Sequence, residues 1–199
     1  MNERHWYSLR KPTPMIRHVE QVASQRKLRL LSAAACRRVP RLLTEPNVLM
    51  AIETAERFAD GDLCDEELLA ANRSVTPANY WEEGPAVPLT YPRAAPDPVL
   101  ARCARYAPSH DEHEPQCDLI RDIFGNPFRP VSFDPSWRTS TAAAVAKTMY
   151  DSRDFAAMPL LVDALEDAGC THSDILDHCR GTGPHVRGCW VVDLVLDKS

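Results

Sequence analysis

The chain has 199 residues and carries 23 Lys and Arg against 28 Asp and Glu, a formal net charge of −5. This balance argues against nucleic-acid binding by the whole surface, although it leaves room for a local basic patch. A hydrophobic content of 44% is that of a globular protein, long enough for one sizeable core or for one domain with an arm. Pro is frequent at 17 and Gly scarce at 7, which favours helices joined by stiff connectors over a glycine-rich β-sandwich.

The first residues, Met1 to Trp6, include charged side chains, but no apolar run follows them. Because a secretory signal needs such a run, we expect none here. No stretch reaches the ~18 consecutive apolar residues that a membrane helix requires. The chain has seven cysteines and no C-x-x-C pair, which indicates free thiols in a reducing compartment. Together these features predict a cytoplasmic protein that makes no membrane contact.

The N-terminal part is predicted to consist of an arm over 1–14 and a helical unit over 15–73. The clearest helix begins at Thr44–Pro46, where a cap residue precedes a proline. It continues with apolar residues at helical spacing and stops at Gly61. A further short helix is predicted from Asp65 to Asn72.

Residues 74–98 hold six of the 17 prolines, a density that excludes a long helix and predicts an extended connector. Its aromatic residues, Tyr80, Trp81 and Tyr91, either bind a partner or cover an apolar groove of the same chain. We expect the second arrangement. A C-terminal helical unit over 99–199 is expected to form one compact domain with the N-terminal unit.

The C-terminal unit is predicted to contain four helices before its tail: Val99–Tyr106, Glu114–Phe124, Thr141–Tyr150 and Phe155–Ala168. Gly169 ends the last of them, and Thr171 with Asp174 resembles a capping box for the next. The segment Cys189–Leu196 is rich in β-branched residues, but because no partner strand is evident a buried helix is predicted. The fold class is therefore all-α, with about seven to nine short helices around one core and a proline-rich irregular connector.

The tail concentrates residues that can bind metal. Four of them lie within twelve positions: His178, Cys179, His185 and Cys189. Zinc takes such ligands in a tetrahedral shell. His178 and Cys179 are neighbours, and on a helix their side chains point about 100° apart, so both can bind one ion only if the helix has ended there. We therefore expect no cofactor, with Cys179 and Cys189 buried, and keep zinc as the alternative.

The same tail allows a nucleophilic interpretation. Cys189 or Cys179 would lie beside His185, with Asp193 or Asp174 orienting the histidine. A catalytic thiol has to be accessible, and the apolar run after Cys189 indicates burial instead.

Two groups of basic residues could bind an anion or a partner. The first surrounds the Gly181–Pro184 turn and consists of Arg180, His185 and Arg187. The second is a basic helix over residues 26–41, with Arg26, Arg29, Arg37, Arg38 and Arg41. For the basic helix we expect a structural role instead, in which it pairs with the acidic stretch Asp60–Glu67.

Two stretches of the chain carry a resemblance. Residues 117–130 contain the run IFGNPFRP, and residues 185–196 begin HVRGCWVVD. They resemble a family of uncharacterised bacterial proteins with an IFGNPFRP-type turn and a GPHVRGCWVVD-type C-terminus. The resemblance covers residues 15–72 and 117–197. It implies that both motifs belong to one unit, and it implies no activity, cofactor or binding residue.

No motif in the chain reaches the specificity that catalytic motifs have in enzymes. The sequence therefore predicts a non-catalytic interaction or accessory module that acts through a partner protein. A metal-dependent or cysteine-based hydrolase centred on the tail is the first alternative. A nucleic-acid-associated factor that uses the basic helix is the second, and it is not favoured.

Overall fold

The computed structural model describes residues 1–75, 87–91, 93–106 and 112–198. Over these ranges the chain is all-helical, as the sequence predicts, with no strand. The first helices are α1 (Glu3–Ser8), α2 (Pro12–Val19), α3 (Gln25–Arg37), α4 (Pro40–Leu43), α5 (Pro46–Ala59), α6 (Asp65–Val75) and α7 (Pro96–Tyr106). The remaining helices are α8 (His113–Phe124), α9 (Ser140–Ser152), α10 (Met158–Asp167), α11 (Ser173–Arg180) and α12 (Trp190–Leu196). Short 3₁₀ helices occupy Val87–Thr90 and Pro135–Trp137.

Several prolines begin helices in this fold. Four of them occupy the first position of a helix: Pro12, Pro40, Pro46 and Pro96. A proline costs little there, because its missing N–H has no partner in the first turn and its fixed φ suits the helix. The described residues form twelve α-helices, more than the seven to nine expected, because prolines that were expected to interrupt helices begin new ones. The connector expected over 74–98 is also shortened, because α6 continues to Val75 and α7 begins before residue 98. Tyr80 and Trp81 lie outside the described residues.

The segment 1–14 is folded, and is not the arm expected from the sequence. The Asn2 side chain caps α1 by accepting the His5 N–H at 2.8 Å. Trp6 is fully buried, and its ring centroid lies 6.4 Å from that of His18 on α2. The first two helices therefore belong to the N-terminal core.

The chain divides into two compact units, residues 1–120 and 121–199, with the boundary inside α8. The boundary lies after the proline-rich segment, which was expected to connect two helical units of one compact domain. In the first unit, α3 packs against α5 and α7, and every position from Leu28 to Cys36 is buried. Because α3 is enclosed on all sides, it is the central helix of that unit.

The second unit builds its core from α9, α10, α11 and α12. The buried stripe of α10 contains Met158, Val162 and Leu165, as the helical periodicity predicts. Gly169 ends α10 with a φ of +85°, and its N–H donates to the Glu166 carbonyl at 2.8 Å. The N-cap of α11 is His172, without a side-chain cap bond, so the capping box expected at Thr171 does not form.

The terminal segment is a buried helix, as expected. Val191, Val192 and Val195 of α12 are fully buried. Arg138 closes the C-terminal end of α12, since its guanidinium donates to the carbonyls of Leu194 and Val195 at 3.0 Å each. In the described part of the chain, no helix combines the length and the apolar character that crossing a bilayer demands.

Candidate metal centre

Four side chains of the second unit converge on one point. Asp122 lies in the last turn of α8, His178 in the last turn of α11, His185 on the turn that follows, and Cys189 at the N-cap of α12. One ligand atom from each residue lies within 4.8 Å of the other three. Because three helix ends and one turn each supply a donor, the cluster is assembled only when the unit is folded.

The distances within the cluster suit a tetrahedral ion. Asp122 Oδ1 lies 3.0 Å from His185 Nδ1 and 3.2 Å from His178 Nε2. Cys189 Sγ lies 3.2 Å from His178 Nε2 and 3.9 Å from His185 Nδ1. Ligands bound to zinc at about 2.0–2.3 Å in a tetrahedron are about 3.3–3.8 Å from one another. These four of the six donor–donor separations, 3.0–3.9 Å, lie near that range, and all six lie within 4.8 Å.

The geometry differs from that of a Cys–His–Asp catalytic triad. In a triad the histidine uses one ring nitrogen for the nucleophile and the other for the acid. Here Nε2 of His178 faces both the thiol of Cys189 and the carboxylate of Asp122. Nδ1 of His185 also faces both groups. Each imidazole thus directs a single nitrogen at the centre of the cluster, which is how imidazoles share an ion.

The cluster is buried. Asp122 is 2% exposed and Cys189 is 0% exposed, while the side chains of His185 and His178 are 9% and 19% exposed. The other ring nitrogen of His185, Nε2, is also buried and has no hydrogen-bond partner among the described residues. His185 is therefore held in place by the contacts of Nδ1 with the cluster.

The ionisation of the two acidic members reflects this environment. Burial raises the pKa of Cys189 well above its ordinary value, and the Asp122 carboxylate raises it further. Hydrogen bonds from the backbone N–H groups of Val192 and Val191 lower it only in part. Burial also raises the pKa of Asp122, but hydrogen bonds from His178 and His185 and their charge outweigh this, so its pKa lies below the ordinary value. Without a cation the cluster therefore holds a carboxylate and a protonated thiol.

Contacts around the cluster fix its members. The second oxygen of Asp122, Oδ2, accepts the Val186 N–H at 3.0 Å, which leaves Oδ1 directed at the histidines. The Cys189 N–H donates to the Val186 carbonyl at 2.9 Å. The ring of His178 lies between those of His185 and Trp190, at centroid distances of 5.0 and 5.1 Å. Such supporting contacts orient metal ligands in proteins.

Of the four residues that the sequence offered as metal ligands, the structure brings together His178, His185 and Cys189. Cys179 is not part of the group, and Asp122 supplies the fourth donor. The reason is that α11 continues to Arg180, so adjacent side chains on it point in different directions. Cys179 is buried in the core of α9–α12, where burial raises its pKa to about 12.

Sequence reasoning missed Asp122 because it lies 56 positions before His178 and no local spacing rule links them. Asp122 lies in the stretch 117–130, and His185 and Cys189 lie in the stretch 185–196. These two stretches were expected to belong to one unit, but that expectation pointed to no ligand.

The three residues near Gly181 that could bind an anion each contact a different group of the second unit. Arg180 forms an exposed ion pair with Glu166 at 2.6 Å. His185 belongs to the cluster. The guanidinium of Arg187 lies over the Tyr150 ring, 4.6 Å from its centroid. Each of the three side chains is thus engaged in a contact within the second unit.

The basic helix is largely occupied by contacts within the first unit. Arg26 pairs with Asp60 at 3.0 Å, as expected for the acidic stretch. Arg37 binds both carboxylate oxygens of Glu56, at 2.5 and 2.9 Å.

The other arginines of the basic helix differ in exposure. Arg29 is 1% exposed and donates to the carbonyls of Leu89 and Tyr91, and burial lowers its pKa to about 10. Arg38 binds both carboxylate oxygens of Glu112. Arg41 is exposed. Most of these guanidinium groups therefore form hydrogen bonds or ion pairs within the first unit.

The chain matches no protein-family model, no curated protein and no solved structure. The site is therefore interpreted from its own geometry.

Proposed function

We propose that the protein is a non-catalytic accessory module whose C-terminal unit is held together by one Zn²⁺ ion. The ligands are Asp122 Oδ1, His178 Nε2, His185 Nδ1 and Cys189 Sγ. The observation that carries the proposal is the convergence of one ring nitrogen from each histidine on both the carboxylate and the thiol.

The donor set favours zinc among the common protein metals. Two imidazoles, one thiolate and one carboxylate combine ligands that zinc accepts in a tetrahedral site. Mg²⁺ and Ca²⁺ prefer oxygen ligands at higher coordination numbers, so a site with one carboxylate oxygen suits neither. With Asp122 and Cys189 ionised, a divalent ion makes the buried cluster electrically neutral, which removes the cost of an isolated buried charge.

The site has the character of a structural centre. Catalytic zinc keeps one coordination position for water or substrate, whereas structural zinc has four protein ligands. The four donors here fill a tetrahedral shell, and Cys189 and Asp122 have almost no exposed surface. The backbone N–H groups of Val191 and Val192 that approach Cys189 stabilise a thiolate bound to the ion.

An ion at this point joins α8, α11, the turn after α11, and α12. The module then acts by presenting a fixed surface to a partner protein, in the cytoplasm, where free thiols persist. The cysteines of the described chain are all free, which supports that compartment. Co-purification from the native host identifies the partner, and binding that is lost with the Cys189→Ala variant ties it to the metal centre.

Metal content of the purified protein tests the proposal. Wild-type protein reconstituted with ZnCl₂ and dialysed should retain about one zinc per chain, the stoichiometry of a four-ligand site. Asp122→Asn and Cys189→Ala should lose most of it. Cys179→Ala is the matched control, because it removes a buried thiol ten positions before Cys189 that lies outside the cluster.

Two results would contradict the proposal. One is wild-type protein that is folded and free of zinc after reconstitution. The other is equal loss of zinc from Cys179→Ala and Cys189→Ala, which would mean that the loss follows from general destabilisation. A Co²⁺-substituted sample gives a second measurement, since a thiolate ligand produces a charge-transfer band that Cys189→Ala should abolish.

A further inference from the structure

The first unit contains a pair of thiols that the proposed metal centre does not use. Cys36 lies in the last turns of α3 and Cys103 lies on α7, and both are fully buried. Their sulfur atoms are 3.7 Å apart. The two helices pack against each other, so the contact joins two core elements 67 positions apart in the chain.

We infer that Cys36 and Cys103 form a reversible disulfide, with a low-molecular-weight disulfide as the oxidant. A disulfide bond is about 2.05 Å long, so the sulfurs have to approach by about 1.7 Å. Both side chains are unbranched at Cβ and can share this movement by rotating about χ1. The site is independent of the zinc proposal, since it lies in the other unit and shares no residue with the cluster.

The chemistry is thiol–disulfide exchange. One thiol loses its proton, and the resulting thiolate attacks a sulfur of the oxidant, releasing one reduced thiol and leaving a mixed disulfide. The second thiolate then displaces the remaining half of the oxidant. The protein loses two hydrogen atoms and gains one S–S bond, and the oxidant is reduced to two thiols.

The position of Cys36 is fixed by its neighbours. Arg37 binds both oxygens of Glu56 on α5, and Arg38 binds both oxygens of Glu112. Bidentate pairs of this kind hold a guanidinium in one orientation. The end of α3 that carries Cys36 is thereby held on two sides, which keeps its sulfur directed at Cys103.

Burial controls when the pair reacts. Removal from water and the contact with Cys103 raise the pKa of Cys36 well above its ordinary value, so the folded protein holds the thiol form. Exchange then requires local opening of α3 and α7. The completed disulfide is shielded in the same way. The pair therefore exchanges slowly in both directions, with oxidation and reduction each waiting for the helices to open.

Peptide mapping of the full-length protein tests the inference. Reduced protein is incubated with oxidised glutathione, the remaining thiols are alkylated, and the protein is digested without reductant. We expect a linked peptide pair containing Cys36 and Cys103, lighter by two hydrogen atoms than the sum of the reduced peptides. The linked protein should unfold at a higher temperature than the reduced protein, because the bond closes a long loop.

The control variant is Cys64→Ala, which removes an exposed thiol outside the pair and should leave the linked peptide and the shift in unfolding temperature unchanged. Cys103→Ala should abolish both. Recovery of Cys36 and Cys103 as separately alkylated peptides at exchange equilibrium overturns the inference. So does preferential linkage of either residue to a different cysteine. Both outcomes are read on the wild-type protein, so they do not depend on whether a variant folds.

Discussion

Gly125 and the Trp190 ring approach each other so closely that a side chain at Gly125 would require the ring to shift by a few tenths of an ångström. A Cβ at this position would lie 3.2 Å from two carbons of the Trp190 indole. The φ of Gly125 is +63°, a left-handed conformation that favours glycine. Gly125 directly follows α8, the helix that carries Asp122. Trp190 is the first residue of α12 and directly follows Cys189. The contact therefore links the two segments that supply these donors.

Replacing Gly125 by alanine should destabilise the protein by about 2–4 kcal/mol, because the backbone strain adds to the cost of displacing the Trp190 ring. Gly169→Ala is the matched control. Its φ is +85°, but a Cβ there meets nothing within 4 Å, so only the strain of about 1 kcal/mol should appear. Urea unfolding measures both. Equal losses in the two variants would mean that the Trp190 contact adds no steric cost.

Acid should destabilise the metal-free protein through Asp122. Its pKa lies below the ordinary value, so the unfolded chain binds a proton at this group more readily than the folded chain does. The stability that it contributes is present above the unfolded pKa of about 4 and is lost as pH falls through the lower folded pKa. Unfolding in the presence of a chelator should show wild type losing stability below about pH 4. In Asp122→Asn this component should be missing, and parallel pH curves for the two proteins would contradict the assignment.

The ion pair between Arg38 and Glu112 should be important for stability. The Glu112 side chain is 4% exposed, so Arg38→Ala leaves a buried carboxylate without this partner and should cost about 3–5 kcal/mol. Lys147→Ala is the comparison, because Lys147 and Asp151 form an exposed pair on α9 that should be worth less than about 1 kcal/mol. Chemical denaturation distinguishes the two. A small loss in Arg38→Ala would show that Glu112 readily finds water or another donor.

Cys64 should react with a thiol reagent faster than the other cysteines, because its thiol is exposed and theirs are buried. Cys64 is the exposed cysteine, while burial raises the pKa of Cys179 to about 12 and the pKa of Cys189 also lies well above its ordinary value. Native protein should therefore react rapidly with about one equivalent of an aromatic disulfide reagent. Cys64→Ala should remove this fast phase. A fast, selective reaction at Cys189 would instead support the cysteine-based hydrolase that the sequence left open.

Local sequence rules predicted much of the fold. Apolar periodicity located the helices around Gly61 and Gly169, and the absence of a partner strand correctly made the terminal segment helical. Prolines misled the prediction where they start helices, as Pro96 does, because composition alone does not show which side of a helix boundary a proline occupies. The N-terminal helices were missed because the burial of Trp6 depends on tertiary contacts.

The candidate site was less predictable. His178, His185 and Cys189 were selected from their density in the tail, but proximity along the chain favoured Cys179 over the distant Asp122. Helical geometry already argued against using both His178 and Cys179, and the continuation of α11 to Arg180 bears that argument out. Asp122 can be recognised as a fourth donor only from the folded structure, which places the end of α8 beside His178, His185 and Cys189.

The arrangement of the four donors also amounts to a sequence signature. An aspartate that precedes a glycine by three positions is followed, at a distance, by histidine, six residues, histidine, three residues and cysteine. Under the proposed zinc site all four donors hold the same ion, so a chain that loses one of them should lose the others or replace it with another ligand. We therefore expect chains that share this site to carry the four positions together, even where the rest of the sequence has diverged.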